Sequence, residues 1–373
     1  MAKTVICVAT PLYAPDIGGP ATHVALLEGS LPRDRFELRV VKFSDVRHLP
    51  KILRHIVYMS KLIRAAKTAR FIYALDPVSV GFPAAIVAHI LKKPLVLRVG
   101  GDYAWEQGVQ RFGVQETLDE FITHTQSSSS VKTLQSIQSY VARHAHTVIA
   151  PSEYLASVIG AWGVPASRIK VIYSQPEFVE RILSRSDARK KLNIHEDEEI
   201  ILSAGRFVPW KGFEGVIDAA ASVRADRPVR LVIAGDGPAR SEIEAHIASI
   251  RAENFITLVG QLSGQEFIYW LAAADMLVLN TKYEGLSHLL LEAFMTNTPV
   301  ITTPVGGNNE LVEDGKTGLF VPYNDVTALS ASITRLLLDR RFAAELAQGA
   351  VASLERFNKD RALEQLGTLF KSI

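Results

Sequence analysis

The sequence has a single cysteine, Cys7, set in an apolar run, so no internal disulfide can form. That suits a reducing compartment. No stretch reaches the roughly 18 apolar residues that span a bilayer, and the run Thr4–Thr10 behind Met-Ala-Lys is too short for a secretory signal. The expected location is therefore the cytoplasm, with at most peripheral attachment to the cytosolic face of a membrane. There is no Asp-x-Asp. The acidic cluster Glu196-Asp197-Glu198-Glu199 precedes an expected strand instead of ending one and reads as solvated linker, so no metal site is expected. No Gly-x-Gly-x-x-Gly follows the first expected strand; Ala9–Gly19 does not supply it, which argues against a nicotinamide enzyme. The basic residues lack interleaved aromatics, which argues against nucleic acid.

What is present is the composition of a folded α/β protein: 48% hydrophobic and 21% charged residues. A length of 373 residues fits two domains. The net charge of +2 hides an asymmetry. Residues 1–175 hold 20 Lys and Arg against 12 Asp and Glu, whereas residues 176–373 hold 21 against 27. A basic first half suits a negative partner, and drift between two domains gives the same imbalance.

Short β-branched runs alternate with stretches of helical period, as in parallel α/β layers. Strands are expected at Thr4–Thr10, Phe36–Phe43, Phe71–Asp76, Pro94–Gly100, Thr147–Pro151 and Ile169–Ser174. A second set follows at Ile200–Arg206, Val229–Gly235, Ile256–Gly260, Met276–Thr281, Val300–Pro304 and Gly318–Val321. Each half reads as a Rossmann-like unit, with Gln175–Glu198 as linker. The tract Ser127–Ser130 is either a loop or a helix start. From Arg340 the chain reads as two helices with a break near Phe357–Lys359.

In such sheets ligands sit at the carboxyl ends of the strands. Four loops of the second half fall there: Gly205–Gly212, Gly235–Pro238, Tyr283–Ser287 and Pro304–Gly307. Arg206 and Lys211 form a pair of cations suited to a diphosphate; two solvated surface cations would look the same. Glu284 and Glu292 bracket seven residues. Ser287 is a candidate N-cap, so Glu292 stands in the first turns of the next helix, whose free N–H groups suit phosphate. Carboxylates on both sides suit vicinal hydroxyls. In the first half, Gly18 and Gly19 precede a helix and allow close backbone approach.

At these residues the sequence resembles retaining GT-B glycosyltransferases of the family 4 type, most strongly from Ile200 to Asn324. Gly205-Arg206 with Lys211-Gly212, Gly235-Asp236-Gly237-Pro238, Glu284 with Glu292-Ala293, and Gly315-Lys316-Thr317-Gly318 occur in that family's order. The resemblance implies two Rossmann-like domains facing each other across a cleft: residues 1–175 on the acceptor side, 176–355 binding the nucleotide-sugar, and 356–373 packing back on the first. It implies that Arg206 and Lys211 hold the donor diphosphate, Glu292 the ribose and Glu284 the transferred sugar. Gly285, Leu286, Ser287, His288 and Leu289 would complete the donor site, with Gly18 and Gly19 beside the phosphates. The expected activity is transfer of a sugar from a nucleotide-diphosphate donor with retention and without metal. The acceptor would be a glycan, a lipid-linked precursor or a small molecule.

Two positions depart from the family pattern. Many members carry a histidine after the strand corresponding to Pro94–Val99, where this sequence reads Gly100-Gly101-Asp102. Asp102 either replaces that histidine near the reacting sugar or orders the loop with Trp105. His288 stands where a small or apolar residue is usual, and either bonds the donor or faces solvent. The missing histidine keeps open a catalytically silent nucleotide-sugar binder. Finally, residues 47–70 contain seven Lys and Arg and no acid. Lys51, Arg54, Lys61, Arg64 and Lys67 alternate with an apolar face, a pattern for an anionic membrane surface. An ordinary sheet-covering helix shows it too.

Overall fold

The computed structural model describes residues 3–16, 18–123, 128–173 and 181–373. The chain forms two compact units, Met1–Ser174 with Lys359–Ile373, and Gln175–Asn358.

The N-terminal unit is built on strands β1 Thr4–Thr10, β2 Phe36–Lys42, β3 Phe71–Ala74, β4 Leu95–Arg98, β5 Thr147–Ala150 and β6 Ile169–Val171. All pairs are parallel in the order β2-β1-β3-β4-β5-β6, so chain order reverses between β1 and β3. The register runs from Ile6 opposite Phe71 to Ala9 opposite Ala74. Strands covered by helices on both faces must be apolar throughout, and β3, β4 and β5 are buried at every residue. The helix Lys359–Ser372 belongs to this unit. Its Ala362, Leu366 and Phe370 recur at fours, one stripe of a helix, and join the core of Ile6, Val8, Val24 and Leu27. The Phe370 ring lies 5.3 Å from those of Phe71 and Tyr73 and 6.3 Å from that of Phe36.

The C-terminal unit holds β7 Glu199–Ala204, β8 Val229–Ala234, β9 Ile256–Gly260, β10 Met276–Leu279, β11 Val300–Thr302 and β12 Leu319–Phe320. The order is β12-β11-β10-β7-β8-β9, again parallel, with the reversal between β7 and β10. Ile201, Ile233, Val278 and Ile301 meet Val216, Ile217, Leu329 and Ile333 from the covering helices.

The strands stand where the apolar runs put them, and several end early, β10 at Leu279 instead of Thr281. The expected linker is corrected. Within it Gln175–Glu180 lie outside the described residues, but Arg185–Leu192 is a helix capped by Ser184. Its Arg189 is wholly buried. The guanidinium reaches the Asp275 carboxylate at 3.2 Å and the carbonyls of Ala273, His195 and Glu196. Asp275 also accepts from Arg185, Arg340 and the Ile200 N–H. A buried charge is tolerable only when paired and hydrogen-bonded in this way. The acidic cluster is likewise not all solvated: Glu198 pairs with Arg230, and Glu199 with Arg227 and Arg340. Ser128 caps the helix Ser129–His144, and Ser127 lies outside the described residues.

Phe370 fills a fully buried place among three aromatic rings, with 0% of its surface exposed. Phe370→Ala is expected to lower unfolding free energy by about 3–5 kcal/mol, the range for emptying such a site. Urea unfolding followed by fluorescence measures it; a loss below about 1 kcal/mol would mean that the helix contributes little to this core.

Candidate active site

Where chain order reverses, the loops on either side part and leave a crevice at the carboxyl edge of a parallel sheet. In the C-terminal unit the loops leaving β7 and β10 flank that point, and they carry Arg206, Lys211 and Glu284. After β7 the chain alternates between anchors and outward groups. Phe207 and Trp210 are buried, and the Phe207 ring meets Phe213 at 5.0 Å. Arg206, immediately before Phe207, is exposed. Lys211 lies in the short turn Pro209–Lys211, which closes at Gly212 with φ +50° before the helix Phe213–Asp226.

The Gly-Asp-Gly-Pro loop after β8 acts on its neighbour. A Cβ on Gly235 would fall 1.9 Å from the Gly205 carbonyl oxygen, and one on Gly237 2.4 Å from that of Phe207. Phe207 N–H donates to Asp236 O and Ala239 N–H to Phe207 O, each at 3.0 Å. Two backbones therefore touch with no side chain between them, which holds the loop carrying Arg206 against the sheet.

On the other side of the reversal, the Lys211 ammonium and the Glu284 carboxylate form an ion pair with both side chains largely buried. The Pro304–Gly307 loop supports this side in turn. Gly307 N–H donates to Glu284 O at 2.9 Å. A Cβ on Gly307 would stand 2.2 Å from Gly285 O. Gly285 and Leu286 are buried. Ser287 caps the helix His288–Met295, its hydroxyl accepting from Leu290 N–H at 3.4 Å. His288, Leu289 and Glu292 are half-buried on its first two turns. The helix begins four residues after Glu284, with the positive end of its dipole at that start. The loops after β7 and β10 thus offer two cations, a carboxylate and a helix start, a set suited to a diphosphate flanked by hydroxyls. Among the described residues no group of three or more His, Cys, Asp or Glu is placed to hold a metal ion.

Gly18, Gly19 and Asp102 belong to the N-terminal unit. Gly18, with φ +149°, opens the helix Gly19–Ser30. Asp102 requires a correction. It follows β4 but its side chain is 0% exposed, and its oxygens accept from Trp105 N–H at 2.9 Å, Gln138 Nε2 at 3.0 Å and Trp162 Nε1 at 3.2 Å. Burial pushes its carboxyl above the usual carboxylate range, opposed by those hydrogen bonds. The carboxylate, enclosed by its own fold, caps the helix Tyr103–Arg111, which fits the loop-ordering role with Trp105. The sequence reading also missed Asn280, Thr281 and Asn324, which hold the cation loop. Their only signal is local: Asn280 and Thr281 are the first polar residues after an apolar strand on the ligand edge, and Asn324 sits in a Pro-Tyr-Asn-Asp turn.

The family described as glycosyl transferases group 1 matches residues 184–352, and a glycosyl transferase 4-like domain matches residues 4–174. Among curated proteins, the alpha-D-kanosaminyltransferase of Streptomyces kanamyceticus is 31% identical over 191 residues, 51% of this chain and 49% of that protein. The chain spans about half the length of most of the curated relatives it matches. The fold is shared with Anabaena HepE in complex with UDP and glucose, at TM-score 0.79 and 20% identity, covering 99% of this chain and 100% of that one. It is shared with sucrose-phosphate synthase of Thermosynechococcus elongatus at TM-score 0.81 and 21% identity, covering 99% of both. These matches set the nicotinamide reading aside.

Asp102→Asn and Trp162→Phe each disrupt the buried cap and are expected to cost about 1–3 kcal/mol of stability, the price of a mismatched buried hydrogen bond. Denaturant unfolding measures both. Unchanged stability together with slowed turnover would put Asp102 back in the chemistry.

Proposed function

This chain belongs to the GT-B glycosyltransferases of the group 1 and 4-like type, and we propose that it moves a sugar from a nucleotide-diphosphate donor to an acceptor hydroxyl with retention of configuration. The observation that carries the reading is the crevice edge of the C-terminal unit, where Arg206, Lys211, Glu284 and the start of the helix His288–Met295 gather at the strand-order reversal. As the bond from anomeric carbon to phosphate oxygen breaks, negative charge grows on the diphosphate, and Arg206, Lys211 and the helix N–H groups stabilise it. The acceptor oxygen bonds to the anomeric carbon on the face the diphosphate leaves. Its proton passes to a leaving phosphate oxygen, so no enzyme nucleophile is needed. Glu284 hydrogen-bonds the transferred sugar, exchanging Lys211 for sugar hydroxyls as the diphosphate takes the ammonium. Glu292 holds the ribose hydroxyls. Side-chain cations take the part a metal ion would play, so none is required.

The acceptor side is assigned to the N-terminal unit, and its basic helix Lys51–Ala66 supports a lipid-linked acceptor at an anionic surface. The expected apolar face divides in the structure. Tyr58, Leu62 and Ala66 are buried, whereas Leu53 and Ile56 are 46% and 60% exposed. Arg64 and Lys67 are exposed, and Lys61 is partly neutralised by Asp45 at 3.0 Å. Exposed leucine and isoleucine among unopposed cations suit the headgroup boundary of a membrane. No helix of the described residues is long and apolar enough to cross one, so attachment would be peripheral, on the cytosolic face.

Arg206→Ala and Lys211→Ala are expected to lower transfer from a nucleotide-sugar by about 100-fold, the loss of one preorganised charge donor, or roughly 3 kcal/mol. Wild-type activity is expected to persist in EDTA. Transfer rates near wild type in both variants, or metal-reversible loss in EDTA, would contradict this clamp. For the membrane, co-sedimentation with phosphatidylglycerol vesicles is expected to rise with anionic lipid and fall with salt. It should weaken in Leu53→Gln/Ile56→Gln and in Arg54→Gln/Arg64→Gln. Wild-type protein remaining in the supernatant at low salt would favour a soluble acceptor.

A further inference from the structure

The cation loop is held from outside itself. Asn280, the residue after β10, is 1% exposed. Its Nδ2 donates to Gly212 O at 2.8 Å and to Asn324 Oδ1 at 2.7 Å, while its Oδ1 accepts from Asn324 N–H at 3.0 Å. Both N–H bonds and the carbonyl of one buried amide are thus engaged, and the carbonyl it reaches lies one residue beyond Lys211. The segment that follows grips the same turn. Thr281 Oγ1 and Lys282 N–H donate to Trp210 O at 3.2 and 2.8 Å, and Tyr323 Oη donates to Pro209 O at 3.3 Å. Gly212 and Gly215 make room for the amides. A Cβ at either would come within 2.7 Å of Asn324 Oδ1, and within 2.5 Å (Gly212) or 2.9 Å (Gly215) of Asn280 Nδ2. Asn324 itself adopts φ +56°, where asparagine is among the few residues tolerated.

Four residues after Asn280 the chain reaches Glu284. The same short segment, 280–284, therefore fixes the turn that presents Lys211 and also bears the carboxylate that Lys211 meets. We propose that the Asn280–Asn324 amide pair is a positioning device for Lys211, setting the separation between the cation that takes the diphosphate and the carboxylate that takes the sugar. The proposal rests on the transferase reading above. It adds two residues that touch neither donor nor acceptor but act through Lys211. An amide pair is suited to the task, because it fixes distance and direction without adding charge beside the diphosphate. A carboxylate at position 280 would lose both donors and attract the lysine.

Steady-state transfer from a nucleotide-sugar panel, with thermal unfolding run on each variant, tests it. Asn280→Ala is expected to lower kcat by about 10- to 100-fold, the cost of a sub-ångström to ångström misplacement of a charge donor. The donor KM should move by less than about threefold, since the loss falls on the transition state. Asn324→Gly keeps the backbone conformation and loses the oxygen, and is expected to fall by about 10-fold. Asn324→Asp keeps that oxygen but adds a charge, and should retain more activity than Asn324→Gly. In a Lys211→Ala background Asn280→Ala should add less than about threefold, because both act on one group. A folded Asn280→Ala or Asn324→Gly protein with wild-type kcat, or a full additive loss in the Lys211→Ala background, overturns the positioning role and leaves the transferase reading standing. A wild-type chain that transfers from no nucleotide-sugar overturns both.

Discussion

Across the strand-order reversal of the second sheet, the Lys211 ammonium and the Glu284 carboxylate are in direct contact, both largely buried. Neither charge is cheap to bury alone, and each is tolerated because the other is there. Much of the surrounding architecture reads as provision for keeping both where they are. β7 and β10 set their loops side by side, the helix behind Ser287 points its positive end at the same place, and the neighbouring loops brace them. A ligand with a diphosphate next to a hydroxyl-bearing sugar can satisfy both partners at once.

The bracing is achieved largely by backbone. The glycine loops after β8 and β11 carry few groups suited to chemistry. They press against Gly205–Phe207 and Glu284–Gly285 at distances that admit no Cβ. A side chain at Gly237 or Gly307 would push outward the loops that carry Arg206 and Glu284. Motif glycines that invite a reading as ligand contacts therefore have a prior task, which is to let one loop fix the next.

The strands were legible because a parallel sheet covered on both faces demands continuous apolar runs, such as Met276–Leu279 and Leu231–Ala234. Their ends were less so. Asn280 and Thr281 continue a strand-like sequence while their side chains turn to hold the neighbouring loop. The helix Arg185–Leu192 passed for linker because its two buried residues are an alanine and an arginine, the latter paired with an aspartate 86 residues away. Asp102 misled for the same reason. Its place on the ligand edge is visible in the sequence, but Gln138 and Trp162, which enclose it, lie 36 and 60 residues on. Chemistry-bearing residues near a strand end could be found from local pattern, whereas the polar networks that decide whether they face a ligand or the core are nonlocal. The basic helix shows the converse: its period is plain in sequence, yet only the structure separates Leu62, which faces the core, from Leu53 and Ile56, which do not.

Arg206, Lys211 and the helix start at Ser287 are proposed to receive a diphosphate. A crystal structure of the protein soaked with UDP tests it most directly. Both phosphates are expected within hydrogen-bond distance of Arg206 and Lys211, with a phosphate oxygen on the first N–H groups of the helix His288–Met295 and Glu284 released from Lys211. Diphosphate bound elsewhere on the chain, with the Lys211–Glu284 pair intact, would contradict it.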